Sequence, residues 1–109
     1  MNQVLRYVTE GGTIVVSEWL AGLTDKQARA RIAVRFLRLT AGNFGDCKPV
    51  GGGVWEMRVD YGPGYRVYYA MVGKTCLLLL CGGDKRKQSA DIARAGQYWS
   101  DYQRRVGKP

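Results

Sequence analysis

The 109-residue sequence contains no histidine, only three prolines, three cysteines and nine acidic residues. Each shortage excludes something. Without histidine there is no imidazole base and no imidazole metal ligand, and Cys47, Cys76 and Cys81 form no CxxC pair, so no metal site and no cofactor are expected. An odd cysteine count is not a disulfide framework. Cys76 and Cys81, five apart in one apolar run, point to opposite faces of a strand as small hydrophobes. That run, Leu77 to Leu80, is far shorter than the roughly 20 residues a membrane helix needs. The start, MNQVLRYVTE, lacks the apolar stretch of a signal peptide. A soluble cytoplasmic protein with no membrane partner is expected.

Basic residues are plentiful. Seventeen Lys and Arg give a net charge of +8 and a pI near 9.7. In so short a chain this points to a polyanionic partner: RNA, DNA, an acidic membrane surface or an acidic protein. Hydrophobic residues make up 46%, enough for a core, and the length fits a single domain over 1–109. No internal repeat or low-complexity linker interrupts it.

Val4 to Val8 is a short strand. Thr13 to Leu23 takes helical spacing in its later part. Thr24-Asp25 then offers an N-cap for a helix on which Ala28, Ile32, Phe36 and Leu39 share one face, with Gly42 as its stop. Arg31, Arg35 and Arg38 line another face, either solvated or directed at a partner. Residues 43–53 read as a Gly-rich loop. Val54 to Tyr61 alternates, with Trp55, Met57, Val59 and Tyr61 on one side and Glu56, Arg58 and Asp60 on the other. Gly62-Pro63-Gly64 is a turn into a strand over Tyr65 to Val72, and Gly73-Lys74 turns into a buried strand over Thr75 to Cys81 that Gly82-Gly83 ends. Asp84 caps a closing helix running to about Arg105, followed by a basic tail. Strand, helix, helix, three antiparallel strands and helix make an α+β fold whose two N-terminal helices cover one sheet face and leave the other open.

Three motifs occur in order: Gly45-Asp46-Cys47-Lys48-Pro49-Val50-Gly51, Tyr61-Gly62-Pro63-Gly64-Tyr65-Arg66-Val67-Tyr68, and Leu80-Cys81-Gly82-Gly83-Asp84-Lys85. With them, residues 13 to 100 resemble the RelE/ParE toxin superfamily, and within it the HigB-like addiction-module killer proteins. The resemblance implies a small curved antiparallel sheet with two helices on one side and a closing helix. It also implies the toxin of a type II toxin–antitoxin module, held by a cognate antitoxin, often of helix-turn-helix type. Such toxins cut mRNA on the ribosome, or alternatively poison DNA gyrase without nuclease chemistry. The segment Thr9 to Gly12 is extra loop relative to the family.

Metal-free RNA cleavage uses the neighbouring 2′-hydroxyl as nucleophile and needs a base, a cation at the phosphate and a proton source for the leaving oxygen. The resemblance assigns Arg66 to the scissile phosphate, Lys85 to the leaving group and Arg58 to a further catalytic cation, with Lys48 on the loop beside them. Lys85, Arg86 and Lys87 crowd a helix N-terminus, where cations are unfavourable unless an anion sits between them and the helix, so Arg86 and Lys87 are assigned to RNA binding. Tyr61, Tyr65, Tyr68 and Tyr69 offer rings for base stacking, about half of them on the open face; Tyr68 shares a face with Arg66. Arg31, Arg35 and Arg38 are assigned to the antitoxin. Glu56 stands where RNA-cutting relatives have a second lysine, so it either pairs with Arg58 or serves as a base. The spacing of Tyr98 and Tyr102 marks them as core.

Overall fold

A computed structural model describes residues 1–107. Its elements in order are β1 (Gln3–Arg6), α1 (Val15–Gly22), α2 (Lys26–Thr40), β2 (Cys47–Gly51), β3 (Val54–Val59), β4 (Tyr65–Met71), β5 (Cys76–Asp84), a 3-10 turn (Lys85–Lys87) and α3 (Gln88–Val106). They build one five-stranded sheet in the order β1-β5-β4-β3-β2.

The helix α2 starts where the sequence says it should. The Asp25 carboxylate accepts hydrogen bonds from the amides of Gln27 at 3.0 Å and Ala28 at 3.2 Å, satisfying two of the free donors of the first turn. Just past its end, Gly42 takes a φ of 86°, a left-handed conformation that suits glycine.

The sheet departs from expectation in three ways. It is mixed, because β1 lies parallel to β5 at its edge, with Val4 opposite Leu77; no hairpin turn links the two strands to impose an antiparallel direction. The loop expected over 43–53 contains a strand, β2, paired antiparallel with β3. Its sequence CKPVG has no apolar alternation, and Pro49 is tolerated there because β2 is an edge strand. Finally, Gly82-Gly83 does not end β5, which runs on to Asp84.

Both sheet faces are covered. On one, Val16 of α1 and Ala28, Ile32 and Leu39 of α2 pack on Met57, Val59, Val67, Tyr69, Leu77 and Leu79. On the other, Ala95 of α3 packs with Tyr68, Ala70, Leu78, Leu80 and Cys81, and Ile92 and Trp99 close the edges. The face expected to stay open is therefore largely roofed by α3, which explains why β5 is apolar on both sides.

A bulge between Tyr68 and Tyr69 sets the phase of the end of β5: Tyr69 faces Leu79, whereas Tyr68 faces Cys81. Beyond it, the two glycines face opposite ways. A Cβ on Gly82 would overlap the Trp19 ring, and one on Gly83 would overlap the Asp91 carboxylate. The Gly-Gly pair is thus a thin plate between α1 and α3.

The C-terminal stretch expected as a tail is partly helix. Arg104 and Arg105 lie in α3 and both pair with Asp101, at 2.7 and 2.8 Å, while positions 108–109 lie outside the described residues. Tyr98 stacks on Tyr7 with ring centroids 4.9 Å apart, and Trp99 stacks on Tyr102 at 5.9 Å.

Candidate functional site

Sheet register gathers the polar side chains. Lys48, Glu56, Tyr68 and Cys81 stand in one row across β2, β3, β4 and β5, and Arg58, Arg66 and Gly83 in the next. Directly paired residues share a face, so both rows present to the α3 side. The helix covers most of that face but begins only at Gln88, leaving the Arg58–Arg66 end uncovered.

At the centre is Glu56, which has no solvent exposure. An isolated buried carboxylate is costly, so its neighbours must compensate. Four do. Gln88 donates to Oε2 at 2.7 Å, the Tyr68 hydroxyl donates to Oε2 at 3.1 Å, and Arg58 Nε donates to Oε1 at 3.1 Å. Arg66 Nε adds its charge at 3.7 Å. Burial alone raises the carboxyl pKa, but these partners outweigh it and hold Glu56 below the ordinary carboxylate range. Of the two roles expected for Glu56, pairing with Arg58 is the one the geometry displays. With its oxygens engaged by donors, it anchors both arginines.

Past Glu56 the side chains open into a polar cleft of about 300 Å³, lined by Arg58, Arg66, Lys85, Asp46, Asp60 and the Gly62-Pro63-Gly64 turn. The three residues expected to be catalytic therefore converge. Arg66 is nearly buried, with NH1 donating to the Tyr65 carbonyl at 3.1 Å and Nε lacking a hydrogen-bond partner. The Lys85 amide bonds the Gly64 carbonyl at 2.8 Å, fixing the lysine against the turn.

Other expected residues fall elsewhere. Tyr68 is completely buried, so it cannot stack on a base; its hydroxyl serves Glu56, and burial followed by that carboxylate's charge raises its pKa. Tyr65 and Tyr69 are buried as well, and Tyr61 is half-covered beneath Arg31. Arg86 turns back onto Asp84 at 3.0 Å and lies outside the cleft, as does exposed Lys87. Asp84 accepts the Arg86 amide at 2.9 Å and caps the 3-10 turn; the closing helix itself begins later, with Lys87 at its N-cap position. Lys48 shares the cleft's sheet face at its solvent-exposed edge.

The arginine stripe of α2 divides. Arg31 and Arg38 are exposed, but Arg35 is half-buried and structural. Its guanidinium donates to the carbonyls of Arg58, Phe44 (3.1 Å) and Asp46 (3.4 Å), so it holds the cleft rim from behind. Gly45 wraps closely on it: a Cβ there would lie 3.0 Å from NH2. Sequence reading missed Gln88 and gave Arg35 to the antitoxin where the structure turns it onto backbone carbonyls. Neither stands in a motif, and both act across the fold.

No group of three potential metal-ligating His, Cys, Asp or Glu side chains occurs among the described residues, and no helix among them is long and apolar enough to cross a membrane.

Fold and cleft define a small, basic α+β protein with arginines presented from a carboxylate anchor. Residues 18–97 match the family model of the Phage derived protein Gp49-like family (DUF891), and the chain belongs to that family. Its members are often the toxin of a toxin–antitoxin module. A protein of Haemophilus influenzae described as uncharacterized is 46% identical over 83 residues, 76% of this chain and 84% of the relative. The match corrects the resemblance to the RelE/ParE superfamily and its HigB-like branch: the Gp49-like toxins are a distinct family of type II toxins. The motifs that carried the resemblance have structural duties here. Gly62-Pro63-Gly64 makes a turn, Gly82-Gly83 a close packing plate and Asp84 a cap, which mark a layout of strands more than a lineage.

Proposed function

We propose that this chain is the toxin of a type II toxin–antitoxin pair that stops translation by cutting mRNA on the ribosome, acting in the cytoplasm and held by a cognate antitoxin of helix-turn-helix type. The observation that carries the reading is the convergence of Arg58, Arg66 and Lys85 on one polar cleft behind which Glu56 fixes both arginines. Two guanidiniums held in place suit a phosphate, which they can contact through paired N–H groups.

The reaction is metal-free transesterification. The 2′-hydroxyl oxygen bonds to phosphorus, its proton passes to a carboxylate, the P–O5′ bond breaks, and the leaving oxygen takes a proton. Arg66 and Arg58 offset the charge gathering on the phosphate. Lys85 supplies the proton to the 5′-oxygen. Asp46 and Asp60, exposed on the rim, are the carboxylates placed to receive the 2′-proton, since Glu56 is already engaged. Lys48, at the sheet edge, extends the cationic track for flanking phosphates, with Arg86 and Lys87 beyond the cleft's other side.

The test is purified protein with translating ribosomes and a defined message. Cleavage leaving 2′,3′-cyclic phosphate ends is expected; uncut message overturns the reading. One observation favours a second reading, a non-enzymatic DNA gyrase poison: three carboxylates share the site with three cations and weaken its field. Gyrase-linked DNA breaks and an SOS response on expression, with translation continuing, would establish that alternative.

A further inference from the structure

Behind the cleft, α2 presents a second recessed surface. A groove of about 450 Å³ lies along the helix, lined by Gln27, Arg31, Val34, Arg38, Val59 and Asp60. Its chemistry is unlike the cleft's. Helix α2 carries Lys26, Arg29, Arg31, Arg35 and Arg38 and no acidic residue. Arg31, Val34 and Arg38, spaced three and four apart, form one stripe. Val34 is 44% exposed, and Leu37 beside it is 71% exposed. Arg31 is already steadied, its guanidinium lying 4.6 Å over the Tyr61 ring.

A helix face with an apolar centre and arginines at both ends is incomplete by itself. Its complement has apolar side chains to cover Val34 and Leu37 and carboxylates to meet Arg31 and Arg38. Nucleic acid supplies the anions but no aliphatic surface for Leu37 to bury against. An amphipathic helix with Leu or Val on one stripe and Glu or Asp flanking it supplies both. We infer that the α2 groove is the seat of an acidic amphipathic helix of a partner protein, with Val34 as its apolar floor, exposed Leu37 at its margin and Arg31 and Arg38 as its end clamps. The identity of that partner as the antitoxin rests on the toxin reading; the groove's chemistry does not. Arg35, assigned with Arg31 and Arg38 from the sequence, is spoken for by the cleft rim, so the outer clamps are Arg31 and Arg38.

The test titrates the full chain with a labelled 18-residue synthetic helix bearing a leucine stripe flanked by glutamates, alongside a scrambled peptide of the same composition and a 12-nucleotide RNA. The amphipathic peptide should bind, and the scramble should bind at least tenfold more weakly. Leu37→Glu and the double variant Arg31→Glu/Arg38→Glu should each weaken the peptide at least tenfold, while Arg58→Ala leaves it unchanged. Circular dichroism confirms that the variants fold, as expected for exposed positions. Equal binding of peptide and scramble, indifference to the α2 variants, or displacement of the peptide by the RNA that persists in Arg58→Ala overturns the inference. None of these readouts involves RNA cleavage, so a chain that leaves message uncut defeats the toxin chemistry while the groove is judged by the peptide alone.

Discussion

Gln88, the first residue of α3, donates a 2.7 Å hydrogen bond to Oε2 of Glu56 in β3, across 32 positions of sequence. This contact ties the closing helix to the floor of the cleft and adds a neutral donor at Oε2 beside the two arginines at Oε1. Glu56→Ala should cost about 3–5 kcal/mol, since it leaves Arg58 and Arg66 without their buried counter-charge. Gln88→Ala removes one charge-assisted bond and should cost about 1.5–3 kcal/mol. Urea denaturation of each variant checks the order.

Acid stability follows from two buried carboxyls with opposite shifts. Glu56 is held below its unfolded pKa, so its stabilisation is complete above the unfolded value and is lost as pH falls through the folded one. Asp91 is 5% exposed, with Oδ2 lacking a hydrogen-bond partner; burial raises its pKa, opposed by Arg94 and Lys87. Its penalty is complete above the folded pKa and disappears as pH falls below the unfolded one. Glu56→Gln should therefore flatten the loss of stability on acidification, and Asp91→Asn should steepen it. Chemical denaturation between about pH 3 and 7 measures both slopes.

Gly82→Ala should destabilise by about 3 kcal/mol, because its methyl group would enter the Trp19 ring. Trp19→Leu in the same chain should recover part of that loss. A double-mutant cycle by thermal unfolding reads the coupling, and purely additive effects would show that the two residues do not press on each other.

Arg35→Lys keeps the charge but loses the fan of donors that grips three carbonyls. The rim carrying Asp46 and Arg58 should loosen. The cleavage proposed above should fall about tenfold or more, as misplacement of reacting groups predicts, while the unfolding midpoint moves little. Parallel cleavage and melting measurements separate misplacement from unfolding.

On the proposed mechanism, Arg66→Ala and Lys85→Ala should each reduce cleavage by about a hundredfold or more, the usual cost of losing a charge-stabilising donor. Arg86→Ala should change it only slightly, because that side chain is folded back on Asp84. Single-turnover assays on stalled ribosomes give the comparison.

The local grammar of the fold was readable from the chain. Asp25 and Gly42 punctuate α2, and the alternation from Trp55 to Asp60 separates two faces correctly. What alternation cannot say is what covers a face. Glu56 is polar by pattern yet unexposed, because α3 arrives from the far end of the chain to roof it. The same long-range packing buries Tyr68 and withdraws Arg35 from the outer surface. β2 was illegible because CKPVG offers no periodic signal, and β1 joins β5 in parallel through no turn that sequence could announce. Arg58, Arg66 and Lys85 do meet, since strand register and the Gly62-Pro63-Gly64 turn bring them together.

Asp60 borders both the cleft and the α2 groove, and Arg35 backs the wall between them. Two ligands separated by one shared partition can be thermodynamically linked, and any such linkage runs equally in both directions. By whatever factor a helix in the groove alters the hold on an anion in the cleft, that anion alters the hold on the helix. With such linkage, an occupied cleft would report to the groove as faithfully as the groove reports to the cleft.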